Sequence, residues 1–284
     1  PGDPAILMLG TEADPEVMVN LRQQLGLDLP LHVQYFRWLW GAAAGDLGTS
    51  VRLGRPVAGL IWERLPVTAS LAVLAMALTL MVGVPAGAYG ATHRGRASDY
   101  LVSILTQAGL AIPHFWLGIL LILLFSLRWQ LLPPGGFVPW AKNPWQAFLS
   151  LLLPAAALAS HRVALVARIT RTAMLDALSK DYIRTAKSKG VSHRMLIYKH
   201  ALKNSLIPVV TVAGMQFAGL LAGSIVAEEV FALPGLGRLL LQAIGYRDLP
   251  LVQGIALFIA LAVVIINFLT DILYLLLDPR VRYD

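Results

Sequence analysis

The 284-residue chain is 57% hydrophobic and only 14% charged, with a mean hydropathy of +0.68, which excludes an ordinary water-soluble domain of this length. It has no cysteine, so disulfides, thiolate metal sites and a cysteine nucleophile are excluded as well. The formal net charge of +7 would suit nucleic acid if it were spread over a surface, but the cations concentrate in one segment, and no nucleic-acid partner is expected.

Residues 1–64 read as an extracytoplasmic N-terminal region. Pro and Gly punctuate it from Pro4 and Pro15 to Gly54 and Pro56, leaving two short helix candidates at 15–25 and 31–44. Asp14 ahead of Pro15 is the pattern of an N-cap followed by proline at the first helical position, where the missing N–H is not needed. Five arginines against seven acids make the region slightly acidic.

From residue 65 onward the chain reads as a transmembrane domain extending to 277. Five stretches free of Asp, Glu, Lys and Arg, at 65–92, 100–127, 143–160, 205–227 and 249–270, reach the length a helix needs to cross hydrocarbon. The third is interrupted by Pro144 and Pro154 and is extended to about 165, with Arg162 snorkelling to the headgroups. Pro113 marks the middle of the second span as a place for bending. Small-residue patterns, Gly83 with Gly87 and Gly219 with Gly223, read as close helix packing.

Orientation follows from the connections. Residues 162–203 carry ten Lys and Arg against two acids, which makes this segment cytoplasmic, together with the short connection 93–98 and the tail 278–284. The connections 128–142 and 228–248 fall outside, and six of the seven tryptophans lie in or beside the outer segments, at the depth amphipathic rings favour. Five spans with a cytoplasmic C-terminus put Pro1 outside, so a sixth, upstream span that anchors the N-terminus inside is expected.

The basic segment 167–204 carries the densest signal. The helical pattern of the third span continues through Ile169, Met174, Leu178 and Ile183 and stops at Gly190, a C-terminal cap; Ser192 then N-caps a second, short amphipathic helix lying across the surface. Its apolar stripe is Met195, Tyr198 and Leu202. Such a segment serves either docking of a partner protein or contact with anionic lipid. Charge alone does not choose between them.

Other chemistry is thin. There is no phosphate-cradling GxxxxGK[ST] loop, and the six histidines form neither an i, i+4 pair nor HExxH, so neither a nucleotide site, a metal site nor a zinc enzyme is expected on this chain. Gln107, His114, Gln216 and Asn267 are polar groups at membrane depth, which either bond between helices or line a water-filled path. An ion-coupled secondary transporter would need intramembrane carboxylates, and Asp271, at a cytoplasmic end, is the one candidate in the spans. An intramembrane hydrolase ranks lowest, because no Ser/His or paired-Asp set lies at matching depth.

The run DYIRTAKSKG at 181–190 resembles the cytoplasmic signature of ABC importer permeases, in the variant of the dipeptide/oligopeptide/nickel permease family. The general pattern is Glu-Ala-Ala, three residues, Gly; here those positions are Arg184, Thr185, Ala186 and Gly190. The likeness extends through PGDPA at Pro1, GDLGTSVRLGRPV from Gly45, ERLPVTASL from Glu63, EEVFALPGLGRLL from Glu228 and LDPRVR at the C-terminus, essentially the whole chain.

The resemblance implies an all-α integral membrane protein with the type I ABC importer transmembrane fold, five spans here plus one upstream, in a bacterial cytoplasmic (inner) membrane. It implies alternating access and no catalysis on this chain. The partners would be a homologous second permease, two ATPase subunits or domains carrying ATP and Mg, an extracytoplasmic substrate-binding protein, and membrane lipid. Arg184, Thr185, Ala186, Gly190, Ser192, Met195 and Tyr198 would couple to the ATPase, and the outer loop 228–249, with Glu228, Glu229, Pro234 and Gly235, would form an outer gate or meet the binding protein. Peptides are the expected cargo, with nickel chelates or haem as alternatives within the same family.

Overall fold

A computed structural model describes residues 14–277 and Ile6; the motif at residues 1–5 and the tail 278–284 lie outside the described residues. The described elements are helical, α with two π-helical turns, joined by turns and by the longer connections 44–56 and 129–143, the first of which holds an isolated bridge between Thr49 and Pro56. Among the described residues four helices are long and apolar enough to cross a membrane, and one bent pair of shorter helices would make a fifth crossing if it is a single span. The chain forms two compact units, one from residues 1–68 and 234–261, the other from 69–233 and 262–284.

In the first unit, α1 (Pro15–Leu25) starts as the sequence predicts: the Asp14 carboxylate accepts the Glu16 N–H, and Pro15 follows. Gly26, at φ +66°, closes its C-terminus in the left-handed region. Next comes α2 (Leu31–Ala43). The core of this unit is aliphatic, with Val57, Leu60, Ile61, Leu236, Leu239, Leu251 and Ile255 all buried. These side chains explain why α3 (Val57–Thr92) begins about two turns before the charge-free run that starts at 65: its first turns are held by core contacts although Glu63 and Arg64 are charged.

Asp248 ties this unit together. Its buried carboxylate accepts the Ser50 hydroxyl at 2.5 Å and the backbone N–H groups of Val51 and Arg52 at 3.2 Å each, and it also faces the Leu251 N–H at 3.3 Å, in the first turn of α11 (Leu249–Leu277). Arg52 lies 4.0 Å over the Tyr246 ring. The stretch 228–249, predicted as an outer loop, is largely helical. It holds α9 (Ile225–Val230) and α10 (Leu236–Gly245), because its apolar residues recur at helical spacing and bury Leu236, Leu239 and Ala243.

In the second unit, α6 (Pro144–Ser179) is the hub on which α4 (Ala97–Ala111), α5 (His114–Leu121, continued by a π-helical turn Ile122–Arg128) and α8 (His193–Gly223) pack. The two prolines expected to interrupt this span do not. Pro144 occupies the first turn behind Asn143, whose side chain caps the Gln146 N–H at 3.1 Å, and Pro154 is buried inside a continuous helix. Arg162, expected to snorkel, turns its Nη1 back one turn to donate to the Leu158 carbonyl at 3.0 Å.

The stretch predicted as the second span bends by 102° between α4 and α5, at Ile112–Pro113. Proline supplies no N–H and pushes its predecessor out of the helical region, and Ile112 is accordingly extended at ψ 123°. Of the two glycine pairs, one packs tightly and one does not. A side chain on Gly83 would meet Val166 at 3.0 Å, and one on Gly87 would collide with the Ala167 carbonyl; Gly219 has no neighbour within 4 Å. The close approach of α8 to α11 is made at Gly214, against Thr270.

Candidate functional site

The basic segment folds as a hairpin whose joints differ from the predicted ones. Helix α6 ends at Ser179, and Lys180 is extended, so α7 (Asp181–Ser188) is a separate short helix, where the sequence predicted continuation to Gly190. The second arm, predicted as a short amphipathic helix, is instead continuous with the next span: α8 begins at His193, passes through a π-helical turn at Leu196–Leu202 and runs unbroken to Gly223. Apolar residues 195–202 keep helical spacing into the span, and no glycine or proline intervenes to stop them before Pro208.

The turn between the arms is a Schellman closure. Gly190 takes φ +80°, its N–H bonds the Lys187 carbonyl at 3.0 Å, and the Val191 N–H reaches the Ala186 carbonyl at 3.2 Å. Ser192 has N-cap backbone geometry without a side-chain cap bond. Underneath, Ile183 and Leu196 are buried with Ala88, Ala91, Met174, Ala177 and Ala201, and Ala186 and Val191 pack against them. The hairpin is thus anchored by one apolar face, which is why it holds a defined position despite its charge. Tyr182 and Asn204, one from each arm, are joined by a 3.1 Å hydrogen bond.

The opposite face is open. Arg184, Thr185, Gly190, Ser192, Met195 and Tyr198 are exposed, and Ala186 is half-buried. Met195 and Tyr198 leave 47% and 66% of their surface uncovered, which is costly for apolar side chains unless something covers them. Surface ion pairs, Arg184 with Asp181 and Lys180 with Asp176, both at 3.2 Å, add little at such exposure.

Above the hairpin a second device, missed at the level of sequence, ties the 93–98 connection to α6. Arg171 Nε and Nη2 form a bidentate pair with Asp99 at 2.7 and 2.8 Å, and Asp99 also accepts the Gly95 N–H at 3.0 Å. Asp99 sits one residue outside the predicted span and carries no motif. Its 72-residue separation from Arg171 leaves no local trace.

The four polar residues of the spans are not brought together. Gln107 is exposed on α4, His114 is half-buried at the start of α5 with its Nε2 enclosed and without a hydrogen-bond partner among the described residues, and Gln216 is half-buried on α8. Asn267 lines a cleft of about 420 Å³ with Thr211, Met215, Thr270 and Asp271. Of the outer-loop residues, Glu228 is fully buried and accepts the Ser224 hydroxyl at 3.0 Å, whereas Glu229 is exposed. Pro234 and Gly235 belong to the other compact unit, where they precede α10, and the Leu236 N–H is bound by Thr68 at 2.9 Å.

Several membrane-length apolar helices, joined by a hairpin that is packed on one face and exposed on the other, define a polytopic membrane protein. Family comparison agrees. The chain belongs to the family of binding-protein-dependent transport system inner membrane components, whose model matches residues 83–283, with the N-terminal model of the same systems matching 1–72. A putative peptide transport system permease protein of Brucella abortus is 50% identical over 284 residues, all of this chain and 90% of the relative. The glutathione transport system permease protein GsiC of Escherichia coli O6:H1 is 43% identical over 283 residues, with the same coverage. The dipeptide transport system permease protein DppB of Alkalihalophilus pseudofirmus is 38% identical over 307 aligned positions, covering all of this chain and 91% of the relative.

Among solved structures, an inward-facing conformation of the MetNI methionine ABC transporter matches with a TM-score of 0.63 at 19% identity, over 77% of this chain and 96% of that one. The fold is therefore that of an ABC importer transmembrane subunit.

Proposed function

We propose that this chain is the permease subunit of an ATP-driven, binding-protein-dependent peptide importer of a bacterial inner membrane, and that the hairpin around Gly190 is its contact with the ATPase. The observation that carries the reading is the hairpin's two-sidedness: Ile183 and Leu196 anchor it to its own bundle, while Thr185, Met195 and Tyr198 stand exposed on the other side. Methionine and tyrosine exposed on a rigid support are the residue types that seat well in a protein groove.

ATP and Mg belong to the partner subunits in this account. The present chain supplies the lever: a movement imposed on the hairpin passes into α6 and α8, which are joined to it through the shared core of Met174, Ala177 and Ala201. Peptide cargo is supported by the names of the relatives, three of which are peptide, glutathione and dipeptide permeases. A homologous second permease and an extracytoplasmic binding protein complete the assembly. Gln107, His114, Gln216 and Asn267 remain candidates for the path, and Glu229 for the outer contact; buried Glu228 would act only after a rearrangement.

The test is reconstitution of the full-length chain with its partner permease and ATPases in liposomes. Peptide-loaded binding protein should stimulate ATP hydrolysis, and labelled peptide should accumulate only with ATP. Uptake that proceeds without any ATPase subunit would overturn the reading.

A further inference from the structure

Beside the hairpin lies a cleft of about 830 Å³ between the cytoplasmic end of α3 and the first turns of α8. Its rim is cationic: Arg96 and Arg194 both line it, with His93 and His193. Neither guanidinium group makes an ion pair or hydrogen bond with a described residue, and no carboxylate is among the lining residues. Two guanidinium groups facing one cleft repel unless an anion lies between them. The imidazole of His93 is held in place by stacking on Tyr89 at 4.2 Å, with its Nδ1 3.1 Å from the Tyr89 carbonyl.

Away from the rim the lining changes character. On α3 the cleft runs from Thr92 back through Ala88 to Pro85 and Val84, and on α8 from His193 through Ile197 to Leu202. Eight residues of helix is about 12 Å, the depth from a headgroup to the upper acyl chain. A free inorganic anion would use the rim but has no use for the apolar floor. An amphiphile uses both, and basic pockets between helices on the cytoplasmic side suit anionic headgroups.

We propose that this cleft binds the headgroup and upper acyl chain of an anionic phospholipid, with Arg96 and Arg194 on the phosphate and Val84, Pro85 and Leu202 against the chain. A lipid held there would bridge the end of α3 to the arm of the hairpin that starts α8, sharing Tyr198 with the exposed face and leaving Met195 and the opposite arm outside the cleft.

Native mass spectrometry of the complete, delipidated transporter in mild detergent tests this, with phosphatidylglycerol and phosphatidylcholine as probes. The wild type should retain one phosphatidylglycerol per copy of this chain under conditions where phosphatidylcholine is lost. Arg96→Ala with Arg194→Ala should lower that retention by about fivefold per arginine, whereas Arg96→Lys with Arg194→Lys should keep it within a few-fold. Co-purification of all subunits in both variants shows that the assembly is intact. Equal retention in wild type and the alanine pair, displacement of the lipid by millimolar inorganic phosphate, or loss of the ATPase subunits rather than of lipid would each overturn the proposal, the last by making the cleft a protein contact.

Discussion

Single residues decide how closely the helices approach. Gly87 faces the Ala167 carbonyl of α6, and any Cβ there must push α3 and α6 apart, so Gly87→Ala should cost about 1–3 kcal/mol. Gly219, with open space around it, should accept alanine without loss. Thermal melting of the two variants, each in the assembled transporter, checks the pair, and equal melting temperatures would show that the α3–α6 approach is not as tight as described. The Asp99–Arg171 pair makes a second residue-scale prediction. Asp99→Ala leaves a partly buried guanidinium unpaired and should destabilise by about 3 kcal/mol, while Asp99→Val combined with Arg171→Met should recover most of the loss. A double-mutant cycle from unfolding measurements reads the recovery, and additive single effects would show that the two residues are not coupled.

At the scale of elements, the hairpin depends on the left-handed turn. Gly190→Val forces a β-branched residue into φ +80°, a strain of about 1–2 kcal/mol that opens the Schellman closure and loosens Ala186 and Val191 from the core. The expected phenotype is intact membrane insertion with ATP hydrolysis that no longer responds to loaded binding protein; unchanged stimulation would argue that the turn has no part in coupling. Much of this element was legible in the sequence. Gly190, the charge excess and the apolar stripe located a hairpin, because capping and periodicity are local signals. The joints were not legible. The break at Lys180 and the fusion of the second arm with α8 depend on how Ile183 and Leu196 share a core with Met174 and Ala88, which no local window contains. For the same reason Asp99 and Asp248 passed unnoticed: each binds residues 72 to 198 positions away. Glu228 stood out by its motif, and its burial against Ser224 could not be read from that motif.

At the scale of the whole molecule, charge-free runs of span length predicted the crossings, and their ends were set by tertiary packing. Helix α6 has 36 residues, about 54 Å, and α8 has 31, about 46 Å, both well beyond the roughly 30 Å of hydrocarbon. The excess of both helices over their charge-free runs lies at the basic end, so the hairpin is carried on helical extensions continuous with those runs. Under the proposed ATPase contact, this continuity would carry a push on a few exposed side chains into the bundle. The chain contains no cysteine, which permits single-cysteine variants without further substitution. Thr185→Cys and Tyr198→Cys, on opposite arms of the hairpin, should cross-link to the ATPase subunit in the assembled transporter with a short thiol-to-amine reagent, and Trp140→Cys should not. A cross-link to the ATPase from residue 140, or none from either arm in a complex that hydrolyses ATP, would contradict the proposed contact.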